Sequence, residues 1–127
     1  MRLPKPHLTN AGFMPILPWI MKPKSPEFYE ARARIAKAMA HPSRLLMLDA
    51  LQEKERCVCE LTELVGADQS TVSKHLAVLK NAGLVEDRKE GVMTYYRPKV
   101  TCLEGFWRCI ENVLKENLKS HAAAIGA

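Results

Sequence analysis

The stretch from residue 68 to residue 83, DQSTVSKHLAVLKNAG, decides the fold of this 127-residue chain. Asp68 is a favourable N-cap residue and Gly83 can adopt the left-handed conformation that ends many helices, so we predict one helix between them. Apolar and polar residues separate onto two faces at helical spacing, which predicts one buried face and one exposed face. The buried face carries Val72, Leu76 and Leu79, and the exposed face carries Ser70, Ser73, Lys74 and Ala77.

Further helices are indicated before this stretch, and a hairpin with a last helix after it. Ser25-Pro26 is a helix start, and Gly66 ends the third helix. Glu90-Gly91 separates two short strand-like runs, which predicts a β-hairpin. The predicted elements are helix 27–40, a helix after Pro42 that carries Leu45, Leu48 and Leu51, a polar connection over 53–56, helix 59–65, helix 69–82, strands 84–89 and 92–97, and helix 100–121.

The expected fold class is mainly α-helical with a small β-hairpin, in the order of a winged helix-turn-helix protein. A chain of 127 residues has room for one compact domain and a tail. Residues 1–25 hold five prolines and no steady period, so we predict an extended N-terminal arm. Residues 26–121 form the predicted winged helix-turn-helix domain, and residues 122–127 form a C-terminal tail.

The composition is that of a soluble globular protein, and the net charge favours an acidic partner. Charged residues make up 26% of the chain and hydrophobic residues 47%, an ordinary balance for a globular domain. The longest apolar stretch, residues 13–21, contains two prolines and is too short to span a bilayer, so we expect a cytoplasmic protein with no membrane partner. The net charge of +5 favours a nucleic acid, because each neutralised phosphate releases counterions.

The order of helix, tight turn, helix and charged hairpin suits double-stranded DNA. The major groove admits one α-helix, whose N-terminal side chains can reach base edges. Cations on the hairpin can contact the flanking backbone or minor groove. His75 lies beside the inward positions, so we expect it to be partly buried rather than in contact with a base. The candidate DNA-binding residues are Gln69, Ser70, Thr71, Ser73 and Lys74 on the helix, and Arg88, Lys89 and Arg97 on the hairpin.

Four strings of residues stand out together. They are AHPSRL at 40–45, CVCEL at 57–61, QSTVSKHL at 69–76 and AGLV at 82–85. In this combination the chain resembles the ArsR/SmtB family of bacterial metal-sensing repressors, of the arsenic-responsive type, over roughly residues 27–120. The resemblance implies a homodimer that binds an imperfect palindrome in operator DNA and leaves it when an inducer binds.

Cys57 and Cys59 are the candidate metal ligands. Thiolates are soft, so the candidate inducers are arsenite or antimonite, with Cd(II), Pb(II) or Zn(II) as less favoured alternatives. Residues i and i+2 of a regular helix point about 200° apart, so chelation requires that Cys57 precede the helix or that its first turn distort. A displacement of that turn would shift the predicted DNA-reading helix, residues 69–82.

The sequence leaves the third ligand open. Arsenic-responding members of the family often have a cysteine where this chain has Thr62, so the resemblance leaves Cys102, Cys109, a non-cysteine side chain or a small thiol from solution. Residues 1–25 contain no cysteine, which argues against the four-thiolate site that the resemblance would imply for cadmium or lead. The Asp and His pairs of the family's zinc site on the last helix are also missing. The alternative for Cys102 and Cys109 is a core or interface position.

Three other functions stay open at this point. A thiol redox or persulfide-sensing repressor of the same fold would form its bridge through Cys102 or Cys109, because a bridge between Cys57 and Cys59 is strained. An architectural winged helix would carry its thiols incidentally. A Cys-x-Cys thiol oxidoreductase needs a base beside a low-pKa thiol. Since the sequence shows no base at a fixed spacing, no phosphate loop and no Gly-rich cofactor turn, we do not expect an enzyme.

The first and last helices are the predicted dimer interface. The last helix carries more apolar surface than one small domain needs to cover, and the alternative is that this stripe closes the core of a monomer. The stripe consists of Leu103, Phe106, Trp107, Ile110, Val113, Leu114 and Leu118.

Overall fold

The computed structural model describes residues 23–124 and contains five helices and three short strands in that range. The predictions for residues 1–22 of the arm and for residues 125–127 of the tail lie outside the described residues. The elements are α1 (Pro26–Met39), α2 (Pro42–Glu53), β1 (Arg56–Cys57), α3 (Val58–Val65), α4 (Gln69–Asn81), β2 (Val85–Glu90), β3 (Met93–Pro98) and α5 (Leu103–Ala124). This order confirms the predicted winged helix-turn-helix fold.

Side chains at the helix starts satisfy backbone N–H groups that have no partner within the helix. The Asp68 carboxylate accepts the N–H of Thr71 at 2.7 Å and starts α4, as predicted. The Ser25 hydroxyl accepts the N–H of Phe28 at 3.3 Å and starts α1, also as predicted. The start of α2 is different, because the ring nitrogen of His41 takes this role.

The sheet has one more strand than the sequence predicts. Its order is β1-β3-β2, and β1 pairs with β3 through Arg56 opposite Tyr96 and Cys57 opposite Tyr95. The prediction of a polar connection over 53–56 is therefore wrong at its end, since only pairing with a distant strand makes these residues extended. Because Cys57 belongs to β1, α3 begins at Val58 rather than at residue 59.

The last helix also differs from its predicted range of 100–121. It begins at Leu103 and runs to Ala124, three residues past the predicted end of the domain. The Gln52 side-chain amide donates to the carbonyl of Val100 at 3.2 Å, which holds the residues before the helix against α2. No helix within residues 23–124 is both long and apolar enough to cross a membrane.

One hydrophobic core joins α2, α3, α4 and the hairpin. It fixes the position of α4, whose predicted inward face is buried and whose predicted outward face is exposed. The fully buried side chains are Met47, Leu48, Leu51, Leu61, Val72, Leu76, Leu79 and Val85.

Much of the apolar stripe on α5 lies outside this core. Leu103 is buried and Trp107 packs against the core, but Leu118 is 68% exposed. The stripe therefore does not close the core of the protomer by itself. The exposed apolar residues on α1 and α5 are Phe28, Ile35, Phe106, Ile110, Val113, Leu114 and Leu118.

Candidate DNA interface and thiol site

The exposed face of α4 presents most of the candidate DNA-binding residues of this helix together. Gln69, Ser70, Ser73 and Lys74 are exposed, whereas Thr71 is partly buried. The Ser70 hydroxyl lies 3.2 Å from the Asp68 carboxylate. Hydrogen bonds from the side chain and backbone of Thr71 lower the pKa of Asp68, so this N-cap is charged at neutral pH. The first turn of α4 is thereby held in place without using Gln69, Ser73 or Lys74.

The hairpin of β2 and β3 forms the wing, and its three candidate cations have different surroundings. Arg97 pairs with Glu86 on the neighbouring strand at 2.5 Å. Arg88 donates to Glu55 and Glu90, and these hydrogen bonds to the carboxylates raise its pKa. Lys89 is exposed and forms no ion pair within residues 23–124. Lys89 is therefore the wing cation that is free to meet a phosphate.

The two candidate ligands lie at the junction of β1 and α3. Cys57 is only 5% exposed, whereas Cys59 is exposed in the first turn of α3. The Cys59 thiol is close enough to Cys57 to contribute to the raised pKa of the Cys57 thiol. The sequence predicts that chelation requires either that Cys57 precede the helix or that its first turn distort, and Cys57 does precede the helix as its N-cap residue.

Cys57 and Glu60 form a reciprocal capping box at the start of α3. The Sγ atom of Cys57 accepts the N–H of Glu60, and a carboxylate oxygen of Glu60 accepts the N–H of Cys57, both at 3.4 Å. Burial raises the pKa of the Cys57 thiol, which favours its protonated form at neutral pH. The hydrogen bonds from Cys57 lower the pKa of the Glu60 carboxyl. The Cys57 sulfur is thus part of the structure that starts α3.

The remaining candidates for a third ligand do not join this pair. Within residues 23–124, no three or more His, Cys, Asp or Glu side chains are grouped so that they could hold a metal ion. Cys102 and Cys109 are both exposed, so neither lies in the core of the protomer, and their alternative position at an interface stays a prediction. Thr62, at the position where the resemblance places a third cysteine, has a buried hydroxyl with no hydrogen-bond partner in the part of the chain described.

One contact at the reading helix was not predicted from the sequence. His75 is partly buried, as expected, but its ring packs against that of His41 with the centroids 4.3 Å apart. Burial lowers the pKa of His75, and the nearby His41 and Arg44 lower it further. The contact depends on the packing of α2 against α4, and no local pattern indicates it.

The comparisons with known proteins agree with this geometry. A family model described as "Bacterial regulatory protein, arsR family" matches residues 41–87. An uncharacterized HTH-type transcriptional regulator of Methanocaldococcus jannaschii is 44% identical over 71 residues, which are 55% of this chain and 80% of that protein. The arsenic resistance transcriptional regulator ArsR1 of Pseudomonas putida is 42% identical over 64 residues, and the match spans only half the length of each protein.

The structural comparison covers more of the chain. The homodimeric winged helix-turn-helix DNA-binding domain of Mb0332 from Mycobacterium bovis is 31% identical with a TM-score of 0.62, over 88% of this chain and 96% of that domain. The fold, the exposed reading helix and the similarity to these regulators lead to one assignment. The chain belongs to the arsR family of bacterial regulatory proteins, and its relatives are transcriptional regulators rather than enzymes.

Proposed function

We propose that the protein is a homodimeric transcriptional repressor that leaves its operator when arsenite or antimonite binds Cys57 and Cys59. The observation that carries this proposal is the position of Cys57. Its Sγ atom is both a candidate ligand and the N-cap acceptor of α3, the first helix of the helix-turn-helix. A ligand that takes this sulfur competes with the hydrogen bond that starts the helix.

The chemistry of binding needs no oxidant or reductant. Two thiol protons leave with two hydroxyl groups of arsenous acid as two water molecules, and two As–S bonds form while arsenic stays in the +3 state. Exposed Cys59 is accessible first, and buried Cys57 must turn away from Glu60 to follow. Occupancy therefore favours a conformation in which the first turn of α3 is altered.

Packing carries this change to the reading helix. Leu61 of α3 is fully buried in the core that also contains Val72 and Leu76 of α4. A shift of α3 therefore moves α4. Two reading helices of a dimer must meet half-sites about 34 Å apart, so a small shift in each protomer weakens binding to the operator. Release requires that the ligand bind the DNA-free conformation more tightly than the DNA-bound one.

The dimer is proposed to form through α1 and α5. Their exposed apolar residues, such as Ile35 on α1 and Leu114 and Leu118 on α5, form a surface that water solvates poorly. The solved relative Mb0332 is homodimeric, which supports the same state here. Two copies related by a twofold axis would place two copies of α4 on a palindromic operator.

The proposed DNA contacts are those predicted from the sequence. Side chains of α4 read base edges and wing cations contact the backbone, with Arg88 and Arg97 doing so only if they exchange a carboxylate for a phosphate. The residues are Gln69, Ser70, Thr71, Ser73, Lys74, Arg88, Lys89 and Arg97.

The choice of arsenite over Cd(II), Pb(II) or Zn(II) rests on two supports. Two neighbouring thiols without a third side chain in reach suit a ligand that can keep one hydroxyl group or accept a small thiol from solution. Zinc normally requires four ligands, which this pair does not supply. The name of the Pseudomonas putida relative, an arsenic resistance regulator, points the same way.

The experiment compares variants of the N-cap cysteine in a DNA-binding assay with a labelled promoter fragment at fixed salt. Cys57→Ser keeps an N-cap acceptor but cannot form a stable As–S bond, so it should bind DNA and ignore arsenite. Cys57→Ala removes the acceptor and should bind DNA more weakly without any ligand. Cys59→Ser should bind DNA normally and fail to respond. For the wild type we expect arsenite to raise the Kd about 5- to 150-fold, the usual range of allosteric coupling.

Two results would count against the proposal. If Cys57→Ser responds to arsenite like the wild type, the thiol pair is not the sensor. If the wild type itself does not respond to arsenite but an oxidant or a persulfide releases it from DNA, thiol redox or persulfide sensing replaces the proposal.

A further inference from the structure

Arg88 connects the wing to the segment that carries the thiols. It lies on β2, and its guanidinium extends across β3, the central strand, toward β1. There Nε donates to Oε1 of Glu55 at 2.7 Å, and a second nitrogen of the group contacts the same carboxylate. The third nitrogen donates to Glu90 at 2.7 Å, and the group lies 4.6 Å from the centroid of the Tyr95 ring.

Two of the three partners of this guanidinium, Glu55 and Tyr95, have a fixed relation to Cys57. Glu55 is two residues before Cys57 in the chain, and Tyr95 is opposite Cys57 in the pairing of β1 with β3. Glu90 and Arg88 itself belong to the wing strand on the other side of β3. A guanidinium is a rigid planar fork, so it holds these groups together only while their spacing is kept.

The same segment is tied to the helix-turn-helix on its other side by Arg56. Nε of Arg56 donates to the carbonyl of Ala50 at the end of α2 at 3.0 Å, and its terminal nitrogens lie 2.8 Å from Glu53 and 3.6 Å from Glu60. Residues 55–57 are thus held between α2 and α3 on one side and the wing on the other. A displacement of Cys57 is passed to both DNA-contacting elements.

We infer that Arg88 is a positioning residue that transmits the state of the thiol pair to the wing, through Glu55 and Tyr95. This inference rests on the proposed function. When Cys57 leaves its capping position, Glu55 moves with it, the arrangement around Arg88 breaks, and the wing loses its orientation relative to α4. The wing and the reading helix then no longer fit one half-site together.

The neighbouring ion pair offers a matched control. Arg97 and Glu86 also pair across the wing, at 2.5 Å, but both belong to the hairpin, and within residues 23–124 neither side chain forms a hydrogen bond or ion pair with residues 55–57. Glu86→Gln removes the negative charge beside Arg97, just as Glu55→Gln removes the one beside Arg88. It leaves the contacts between Arg88 and the segment before Cys57 in place. A general effect of charge on the wing should therefore appear in both variants.

The experiment measures the Kd for a promoter fragment with and without sodium arsenite and takes the ratio as the coupling. Glu55→Gln should bind DNA like the wild type without arsenite, with the same dependence on salt, and its coupling should fall about 2- to 30-fold. Arg88→Lys, which cannot bridge two carboxylates and lie on Tyr95 at once, should also lose coupling, and because Arg88 is itself a candidate DNA contact, only the ratio of its two Kd values is compared. Glu86→Gln should keep the coupling of the wild type.

Two outcomes overturn the inference while leaving the proposed function intact. One is a wild-type coupling in both Glu55→Gln and Arg88→Lys. The other is a tighter and more salt-dependent binding of DNA by Glu55→Gln, because it would mean that Glu55 only masks Arg88 as a phosphate contact.

A failure of the proposed function is seen separately, as a wild type that binds DNA and does not respond to arsenite. Hydrogen exchange without any ligand then tests whether Arg88 and Glu55 hold β1 to the wing. Faster exchange of the amides that pair β1 with β3 in Glu55→Gln, but not in Glu86→Gln, supports the bridge. Equal exchange in the two variants overturns it.

Discussion

Replacing Lys89 with glutamine tests how the wing meets DNA. Lys89 on the wing and Lys74 on α4 are exposed and form no ion pair within residues 23–124, whereas Arg88 and Arg97 are held by carboxylates. Each unpaired lysine that meets a phosphate contributes about 0.9 to the slope of log Kd against log salt. Two lysines in each protomer of a dimer give a slope of about 3.6, and without Lys89 the slope is about 1.8.

These slopes predict a difference that is easy to measure. Doubling the salt concentration should weaken wild-type binding about 12-fold and binding by Lys89→Gln only about 3.5-fold. Fluorescence anisotropy of a labelled operator at four salt concentrations gives both slopes. Lys115→Gln, on the exposed surface of α5 and far from the reading helix in sequence, is the control and should keep the wild-type slope. The reasoning is refuted if Lys89→Gln also keeps it.

Four further variants test the core, the histidine contact, the interface and the third ligand. Leu61→Ala empties a fully buried site on α3 and should lower the free energy of unfolding in urea by about 2–5 kcal/mol, whereas Leu64→Ala, 46% exposed before truncation, should lower it by less than about 1 kcal/mol. His75→Gln should flatten the loss of stability between pH 7.5 and pH 5.5. Burial lowers the pKa of His75 below its usual 6.5, so the unfolded chain binds more protons and stability falls as the pH drops through 6.5. Leu118→Asp, at a position 68% exposed in the protomer, should shift the dimer toward monomer in sedimentation experiments at micromolar concentration. Thr62→Cys replaces a buried hydroxyl that has no partner among residues 23–124 with a third thiol, and should release DNA at a lower arsenite concentration.

The results that contradict these expectations are specific to each variant. Equal losses for the two leucines would mean that α3 is not anchored by the core, provided that both are compared at one protein concentration, because dimerisation contributes to stability. His121→Gln, at an exposed position on α5, is the control for the histidine, and an equal flattening in both variants would refute the role of the contact. A Leu118→Asp protein that stays dimeric would move the interface away from this part of α5. An unchanged arsenite response in Thr62→Cys would place this side chain outside the reach of the pair.

The parts of the fold that were predicted correctly are those set by local patterns. The two faces of α4 follow from helical spacing, and its ends follow from Asp68 and Gly83, whose φ of 80° is the left-handed value that glycine adopts most easily. The hairpin follows from Glu90-Gly91, where Gly91 has a φ of 61°. Each of these features depends on residues a few positions apart, and the sequence contains them directly.

The parts that were missed depend on residues far apart in the chain. β1 consists of two residues and exists only because β3 pairs with it. The contact between His41 and His75 requires that α2 and α4 already be packed. The wing arginines are predicted from the sequence as DNA contacts, and no local pattern indicates that Glu55 and Glu86 pair with them across strands. For the candidate site, the two cysteines and the two alternative conditions for chelation follow from the sequence, whereas only the structure shows that Cys57 precedes the helix.

The two helix starts of the DNA-binding unit differ in a way that suits a sensor. α4 starts on a charged carboxylate, with an N–H···O distance of 2.7 Å at Asp68, whereas α3 starts on a thiol at 3.4 Å. Sulfur is a weak acceptor, so the start of α3 costs less to open than the start of α4. We therefore expect a ligand that takes the Cys57 sulfur to alter the start of α3, which positions α4, and to leave α4 itself formed. Because the same cysteine belongs to β1, the mechanism that we propose has the wing respond together with α3, so that one sulfur atom would act on both surfaces that are proposed to meet the half-site.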